Sequence, residues 1–351
     1  MRSRYFINHQ GYSQEGLLAF AESHLRMADL PDWERDLYTF IQTWFSCDEN
    51  ISIYTSGSTG EPKEIKLTRK QMLRSAMRSL HFFDLKPSEN ILLCLPVKYI
   101  AGMMMVVRAF AGSLNLIATS PQNLMLGSRK EKLDLVALVP LQMENLLNGC
   151  QDLSSMSKVI LGGAPLSSTL EQQIISSFKG QVWETYGMTE TITHVAVRKI
   201  GSESQVFTAL PNITFSKDDR ECLVISDPFI HETPIVTNDR VRLISSDSFQ
   251  LLGRLDNVIN SGGIKIQPED LERTLEPYID KRFCITSLPN EKLGQMVVLV
   301  VEKGVPLEKL MDAINVLDQH HRPKKIVEID EIPTNSNGKI DLQSVKEKIV
   351  M

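Results

Sequence analysis

The stretch "YTSGSTGEPKEIKLT", Tyr54–Thr68, decides how the chain is read. It follows the apolar run "ISIY" and leads to a helix that Thr68 is expected to open. Gly57 and Gly60 can take backbone angles closed to other residues, and Ser56, Ser58 and Thr59 add hydroxyl and amide donors on one concave surface. A nest of this kind suits phosphate, and Lys63 adds a mobile positive charge beside it. An ordinary Gly/Ser surface turn has the same composition. The string G-x-x-x-x-G-K-[ST] is absent, because Lys63 is followed by Glu64, so this is not the common nucleotide P-loop. G-x-G-x-x-G before a helix is also absent, which removes the dinucleotide-redox reading.

Working outward, the texture alternates short strands with helices. "NILLCLP", "LNLIATS", "LDLVALVP", "SKVILGG" and "QVWETYG" read as strands, with helices from Thr68, through "GMMMVVRAFAG" and from Ser168. Thr68 with Gln71 and Ser168 with Glu171 read as capping boxes. Residues 13–26 and 33–45 have helical spacing and form a lead-in. Beyond about residue 200 the chain turns strand-rich, with "ECLVIS", "RVRLIS" and "FQLLG". At "GRLDNVINSGGIKIQPEDLE" a second change begins a small module with the strands "MVVLVVE" and "KKIVEID" and the helix "PLEKLMDAINVLDQH". The fold class expected is α/β plus α+β, with residues 1–255 as a large layered domain carrying a β-rich subdomain and 256–351 as a small mobile one.

Composition narrows the function classes. The net charge is -5 with both signs scattered, so no basic stripe argues for nucleic acid or an anionic membrane. The five cysteines, Cys47, Cys94, Cys150, Cys222 and Cys284, are widely spaced and read as reduced thiols of a cytoplasmic protein, without metal-ligand spacing. The N-terminus has no apolar signal region, and no run is long enough to span a bilayer.

Five motifs in order, "YTSGSTGEPK" at 54–63, "GGAPL" at 162–166, "YGMTE" at 186–190, "TNDRVRL" at 237–243 with "GRLDNVINSGGIKIQPEDLE" at 253–272, and "PTNSNGKID" at 333–341, resemble the acyl-adenylate-forming family of acyl-CoA synthetases, adenylation domains and luciferases. The resemblance covers nearly the whole chain. It implies that Thr55, Ser56, Gly57, Ser58, Thr59, Gly60 and Lys63 hold the ATP β- and γ-phosphates, and that Gly162, Gly163, Ala164, Pro165, Tyr186 and Gly187 form the adenine slot. It implies Glu190 as the Mg²⁺ carboxylate and Thr189 as the hydroxyl beside the α-phosphate. Asp239 then takes the ribose diol and Arg254 the ribose or phosphate. Many relatives have glycine where this chain has Asn238. Lys339 is implied as the lysine that stabilises the adenylation state, Asp256 as the hinge, and Gly262, Gly263 and Lys265 as the coenzyme A channel reached after rotation of residues 257–351.

Two half-reactions follow from the resemblance: a carboxylate and MgATP give acyl-AMP and diphosphate, then the coenzyme A thiol displaces AMP. No Ser, Cys or His nucleophile is required, so Cys94, Cys150 and His194 carry no catalytic expectation. About fifty residues precede the phosphate loop, a short lead for this family. Among short members, "LPVKYIAGMMMVVRAFAGS" at 95–113 resembles the o-succinylbenzoate-CoA ligases of menaquinone synthesis, with Tyr99 where their histidine is expected, then Gly102 and Arg108. Thr191 and His194 are expected near the acid pocket. "GMMMVVRAF" also reads as a purely structural buried helix whose methionines fill the core. The implied partners are a small aromatic dicarboxylic acid, ATP and coenzyme A, with no nucleic acid or membrane and with a homo-oligomer left open. Other aryl- or fatty-acyl-CoA ligases, carrier-loading adenylation enzymes and a non-catalytic nucleotide-binding scaffold are the alternatives.

Overall fold

Strand–helix alternation builds a mixed αβ body and a smaller α+β domain in the computed structural model. It describes residues 4–46, 48–56, 62–122, 124, 131–149, 151–202, 204–334 and 339–350, with backbone only at 55, 56, 62 and 63. By packing, the chain divides into a first unit of Met1–Gly162, Ile174–Thr214 and Ser226–Ile235, and a second of Gly163–Gln173, Phe215–Ile225 and Val236–Met351.

In the first unit a hairpin of β1 (Tyr5–Ile7) and β2 (Gln10–Tyr12) precedes α1 (Gln14–Leu25) and α2 (Asp32–Phe45), so the lead-in is not wholly helical. The stretch that opened the reading is itself a hairpin, β3 (Asn50–Ser56) and β4 (Pro62–Thr68), before α3 (Arg69–Phe82). Residues 62–68, read above as loop, alternate exposed Glu64 and Lys66 with buried Leu67, the period of a strand. The register pairs Thr55 with Lys63 and Ser56 with Pro62. The Thr68–Gln71 capping box is present on α3.

Then follow β5 (Asn90–Leu93), α4 (Ile100–Gly112), β6 (Asn115–Ala118), β7 (Leu135–Leu138), α5 (Pro140–Asn148), β8 (Lys158–Leu161), α6 (Ser168–Ser177), β9 (Gln181–Gly187), β10 (His194–Lys199) and β11 (Phe207–Ala209). The cap of α6 is Ser167, whose hydroxyl accepts the Leu170 amide at 3.1 Å, one residue before the serine expected from sequence. The strands lie in the order β11-β10-β9-β8-β7-β5-β6-β1-β2. From β6 through β9 they run parallel, and the nearly continuous apolar character of β5, β7 and β8 reflects burial on both faces. Helix α4 is buried from Gly102 through Phe110. A Cβ at Gly102 would stand 2.4 Å from the Pro96 carbonyl oxygen, so glycine is what lets this helix approach the preceding loop.

The second unit carries a meander of β12 (Thr214–Lys217), β13 (Cys222–Ser226), β14 (Ile235–Ser245) and β15 (Ser248–Arg254). It continues through β16 (Ile259–Ser261), β17 (Ile264–Ile266), α7 (Pro268–Leu275), β18 (Phe283–Asn290), β19 (Gly294–Glu302), α8 (Leu307–Asn315), β20 (Lys325–Ile329) and α9 (Leu342–Val350). Period-two alternation along β19 divides its side chains between two cores. Val297, Leu299 and Val301 join Leu271 and Leu310 on one face, while Val298 and Val300 join Val345 and Ile349 on the other.

Candidate active site

Strand β9 ends at Tyr186 and Gly187, and the chain turns through Met188–Ile192 before entering β10. A Cβ on Gly187 would meet the Thr193 carbonyl oxygen at 2.4 Å, so only glycine permits this close return. Ile192 is fully buried at φ 69°, a conformation strained for a β-branched residue. The turn presents Thr189 and Glu190 partly exposed. Thr191 lies buried beneath, its hydroxyl accepting the Met188 amide at 2.9 Å and lying 2.8 Å from the Thr193 carbonyl. Among the described residues no cluster of three or more metal-ligating side chains exists. Glu190 nevertheless fits Mg²⁺ as a single carboxylate that shares the ion with phosphate oxygens and water, the usual mode for this hard cation.

Behind the turn three of the residues expected near the acid pocket, Arg108, Thr191 and His194, meet at Thr193. Arg108 on α4 is 2 % exposed, donates from Nη2 to Thr193 Oγ1 at 2.9 Å and lies 3.5 Å from Met105 Sδ through Nη1, while its Nε has no partner. No carboxylate pairs with it among the described residues, and burial pushes its pKa down to about 10. Arg78 and Arg198 contrast with it. Arg78 donates to Asp227 at 2.6 and 2.8 Å, and Arg198 to Glu184 at 2.9 and 2.8 Å. His194 at the start of β10 contacts Thr193 Oγ1 at 3.3 Å and Ser79 Oγ at 3.2 Å. Burial, with the charges of Arg108 and Arg78 nearby, holds it well below 6.5, so the imidazole is neutral at pH 7. Tyr99 caps the start of α4, with Lys98 Nζ 5.3 Å from its ring centre. Thr193 and Ser79 were not anticipated. Thr193 is two residues from Thr191, at strand spacing, whereas nothing local in "RSAMRSL" marks Ser79.

At the end of β8 a Cβ on Gly162 would meet Thr185 Oγ1 at 2.5 Å, which explains this glycine by strand contact alone. Gly57 to Gly60 lie outside the described residues, as do the side chains of Thr55, Ser56 and Lys63.

In the second unit Gly163 has φ 89°, with Ala164 half-buried and Pro165 exposed after it. Register places Asp239 on β14 directly opposite Arg254 on β15. Asp239 is buried, and Arg254 reaches it at 3.3 Å while holding Asp256 at 2.8 Å. Asn238 donates to both Asp256 oxygens at 3.1 and 3.3 Å and accepts from Arg220 at 3.0 Å. Arg254 first, then burial opposing and Asn238 assisting, leaves the Asp256 carboxyl below the usual range. Gly262 (φ 60°) and Gly263 (φ 83°) make the two-residue turn between β16 and β17, with Lys265 exposed just beyond. Lys339 is exposed beside the Thr334–Ile340 bridge.

The fold and these motif residues define an AMP-forming acid–thiol ligase that uses ATP and Mg²⁺. The chain belongs to the AMP-binding enzyme family, whose model matches residues 48–224. It is 33% identical to the acyl-CoA synthetase (AMP-forming)/AMP-acid ligase II-like protein of Dyadobacter fermentans, with TM-score 0.61, covering 94% of this chain and 98% of that one. It is 24% identical over 325 residues to the 2-succinylbenzoate–CoA ligase of Lactococcus lactis, 85% of this chain and 71% of the relative. The O-succinylbenzoate coenzyme A synthetase of Bacillus subtilis, solved with ATP and magnesium, shares the fold at TM-score 0.70 and 20% identity, over 84% of this chain and 69% of that one. Among the described residues no helix is long and apolar enough to cross a membrane.

Proposed function

We propose that this ligase activates o-succinylbenzoate and transfers it to coenzyme A, in the cytoplasm, as a step of menaquinone synthesis. The observation that carries the choice of acid is Arg108, a buried guanidinium with no carboxylate partner among the described residues and an unpartnered Nε. A second carboxylate on the substrate supplies the missing counter-charge while the first is activated. The named 2-succinylbenzoate–CoA ligase relatives support the same choice.

In this reading residues 55–60 and Lys63 grip the departing diphosphate, Asp239 and Arg254 hold the ribose, and Gly162–Pro165 with Tyr186 hold adenine. Thr189 hydrogen-bonds an α-phosphate oxygen, and Lys339 neutralises charge as the carboxylate attacks. Bound at Glu190, Mg²⁺ would offset phosphate charge. The Asp256 hinge divides residues 1–255 from a mobile 256–351, and Gly262, Gly263 and Lys265 line the thiol's path in the second half-reaction. Diphosphate release over a panel of acids, followed by thioester detection with coenzyme A, tests this. Adenylate from benzoate or a medium-chain fatty acid, with none from o-succinylbenzoate, would refute the assigned acid. Adenylate without thioester would refute coenzyme A as acceptor.

A further inference from the structure

Two exposed helix faces, one in each unit, are complementary in charge and apolar pattern. On α3, Leu73 and Met77 form an i, i+4 apolar row, 38% and 53% exposed, along a groove of about 660 Å³ closed on its other side by Phe229, itself 50% exposed. Lys70 and Arg74 form the next row round the helix, and both line the groove. Arg78 lines it as well, but its charge is neutralised by Asp227. On α8, Leu307 and Met311 form an i, i+4 row, 66% and 47% exposed, beside the stripe that packs into the core through Leu310, Ala313 and Ile314. The neighbouring row is acidic, Glu308 and Asp312.

We propose that these faces bind one another between copies of the chain, so that α3 of one molecule receives α8 of a second. Viewed from N- to C-terminus, the charged row lies on the same side of the apolar row in both helices, roughly 60–100° round the axis. An antiparallel crossing therefore lays Leu73 and Met77 on Leu307 and Met311 and brings the acidic row over the basic one. A parallel crossing would put the two charged rows on opposite sides. Isolated exposed apolar residues need no explanation, but an apolar groove flanked by one charge sign, matched by a helix of the other sign, commits to a partner. The partner surface is present on the same chain, and the contact joins unlike surfaces, so it links copies into closed assemblies where the rotation permits and into longer chains otherwise.

Sedimentation velocity of the full-length protein over a micromolar concentration series tests this. The wild type is expected to form species heavier than the 39.6 kDa chain, with association weakening as salt is raised to molar levels. The double variant Lys70→Glu/Arg74→Glu sets like charges together and weakens association by roughly tenfold or more. Adding Glu308→Lys and Asp312→Lys to that same chain restores opposite signs and restores association. All four positions are exposed, and unchanged circular dichroism checks that each variant folds. A wild type that stays at 39.6 kDa throughout overturns the proposal. So does a double variant that associates like the wild type, or a four-site variant that stays dissociated.

Discussion

Replacing Arg108 by methionine separates a substrate-binding cation from a structural one, because the two roles predict opposite changes in stability and selectivity. The fall in its pKa to about 10 corresponds to roughly 3 kcal/mol of disfavoured charge, caused by burial with no carboxylate partner among the described residues. Methionine keeps the unbranched stem, suits a helix whose neighbours are Met103, Met104 and Met105, and removes that charge. The loss is one hydrogen bond to Thr193, worth about 1 kcal/mol, and His194 still contacts the Thr193 hydroxyl at 3.3 Å. The ligand-free protein should therefore be as stable as the wild type or more stable by about 1–2 kcal/mol, read from the denaturant midpoint. Toward a dicarboxylic acid the variant should lose the buried charge pair, about 2–5 kcal/mol, or roughly 30- to several-thousand-fold in kcat/KM for adenylate formation. Benzoate, which has no second carboxylate, should lose far less. A destabilised variant that treats both acids alike would refute the reasoning, since it would make Arg108 a structural residue only.

Three other perturbations follow from the same geometry. Glu272 accepts the Ile285 amide at 2.7 Å, and burial, with Glu269 and Glu276 adding to it, pushes its carboxyl up to about 7. A raised folded-state pKa means its contribution is full below about pH 4.5 and is lost as pH rises through about 7. Glu272→Gln keeps the acceptor oxygen, so it should be more stable than wild type by about 1–3 kcal/mol at pH 8 and equal to it near pH 4, checked by denaturation at both values. Gly102→Ala should cost about 1–3 kcal/mol in the same assay, because the 2.4 Å approach is to backbone and outweighs the roughly 1 kcal/mol gain in helix propensity. Lys339→Ala should slow acyl-AMP formation by about a hundredfold or more while leaving thioester formation from supplied acyl-AMP nearly intact, read as separate half-reactions.

Much of the fold is legible because local signals agree. The apolar runs of β5 to β9 lie between capped helices, and the run "MVVLVVE" is buried on both faces, as an apolar strand between two cores must be. The missed elements lacked such signals. β4 is interrupted by charge at every second position and begins at a proline, so it reads as loop until its partner β3 is known. β18 contains Ser287 and Pro289, and only its long register against β19 makes it a strand. Of the site, the motif residues were legible by type and order, whereas the connection of Arg108 through Thr193 to His194 and Ser79 joins segments 85 and 115 residues apart. No local pattern encodes such a contact. That no carboxylate among the described residues pairs with Arg108 is likewise visible only in three dimensions.

Around Asp239 and Asp256 charge is handled differently, and Asn238, where many relatives have glycine, takes part in it. Asp239 and Arg254 face each other by register, yet the guanidinium sits 3.3 Å from Asp239 and 2.8 Å from Asp256. Of these two carboxylates, Asp256 is the closer partner of the guanidinium. Asn238 reinforces that bias, since its amide bonds both oxygens of Asp256 and is itself oriented by Arg220. Glycine at 238 would leave Asp256 to Arg254 alone. The backbone between them is fixed from the other side, where a Cβ at Gly253 would come within 2.5 Å of Gln267 Nε2, and Gln267 itself donates to the Arg254 carbonyl at 2.9 Å. Glu269 on the first turn of α7 also accepts the Arg254 amide at 3.4 Å, so the backbone at Arg254 is held from that side too. In the role proposed for Asp239, the Arg254 contact that a ribose diol would displace is the longer of the guanidinium's two carboxylate contacts.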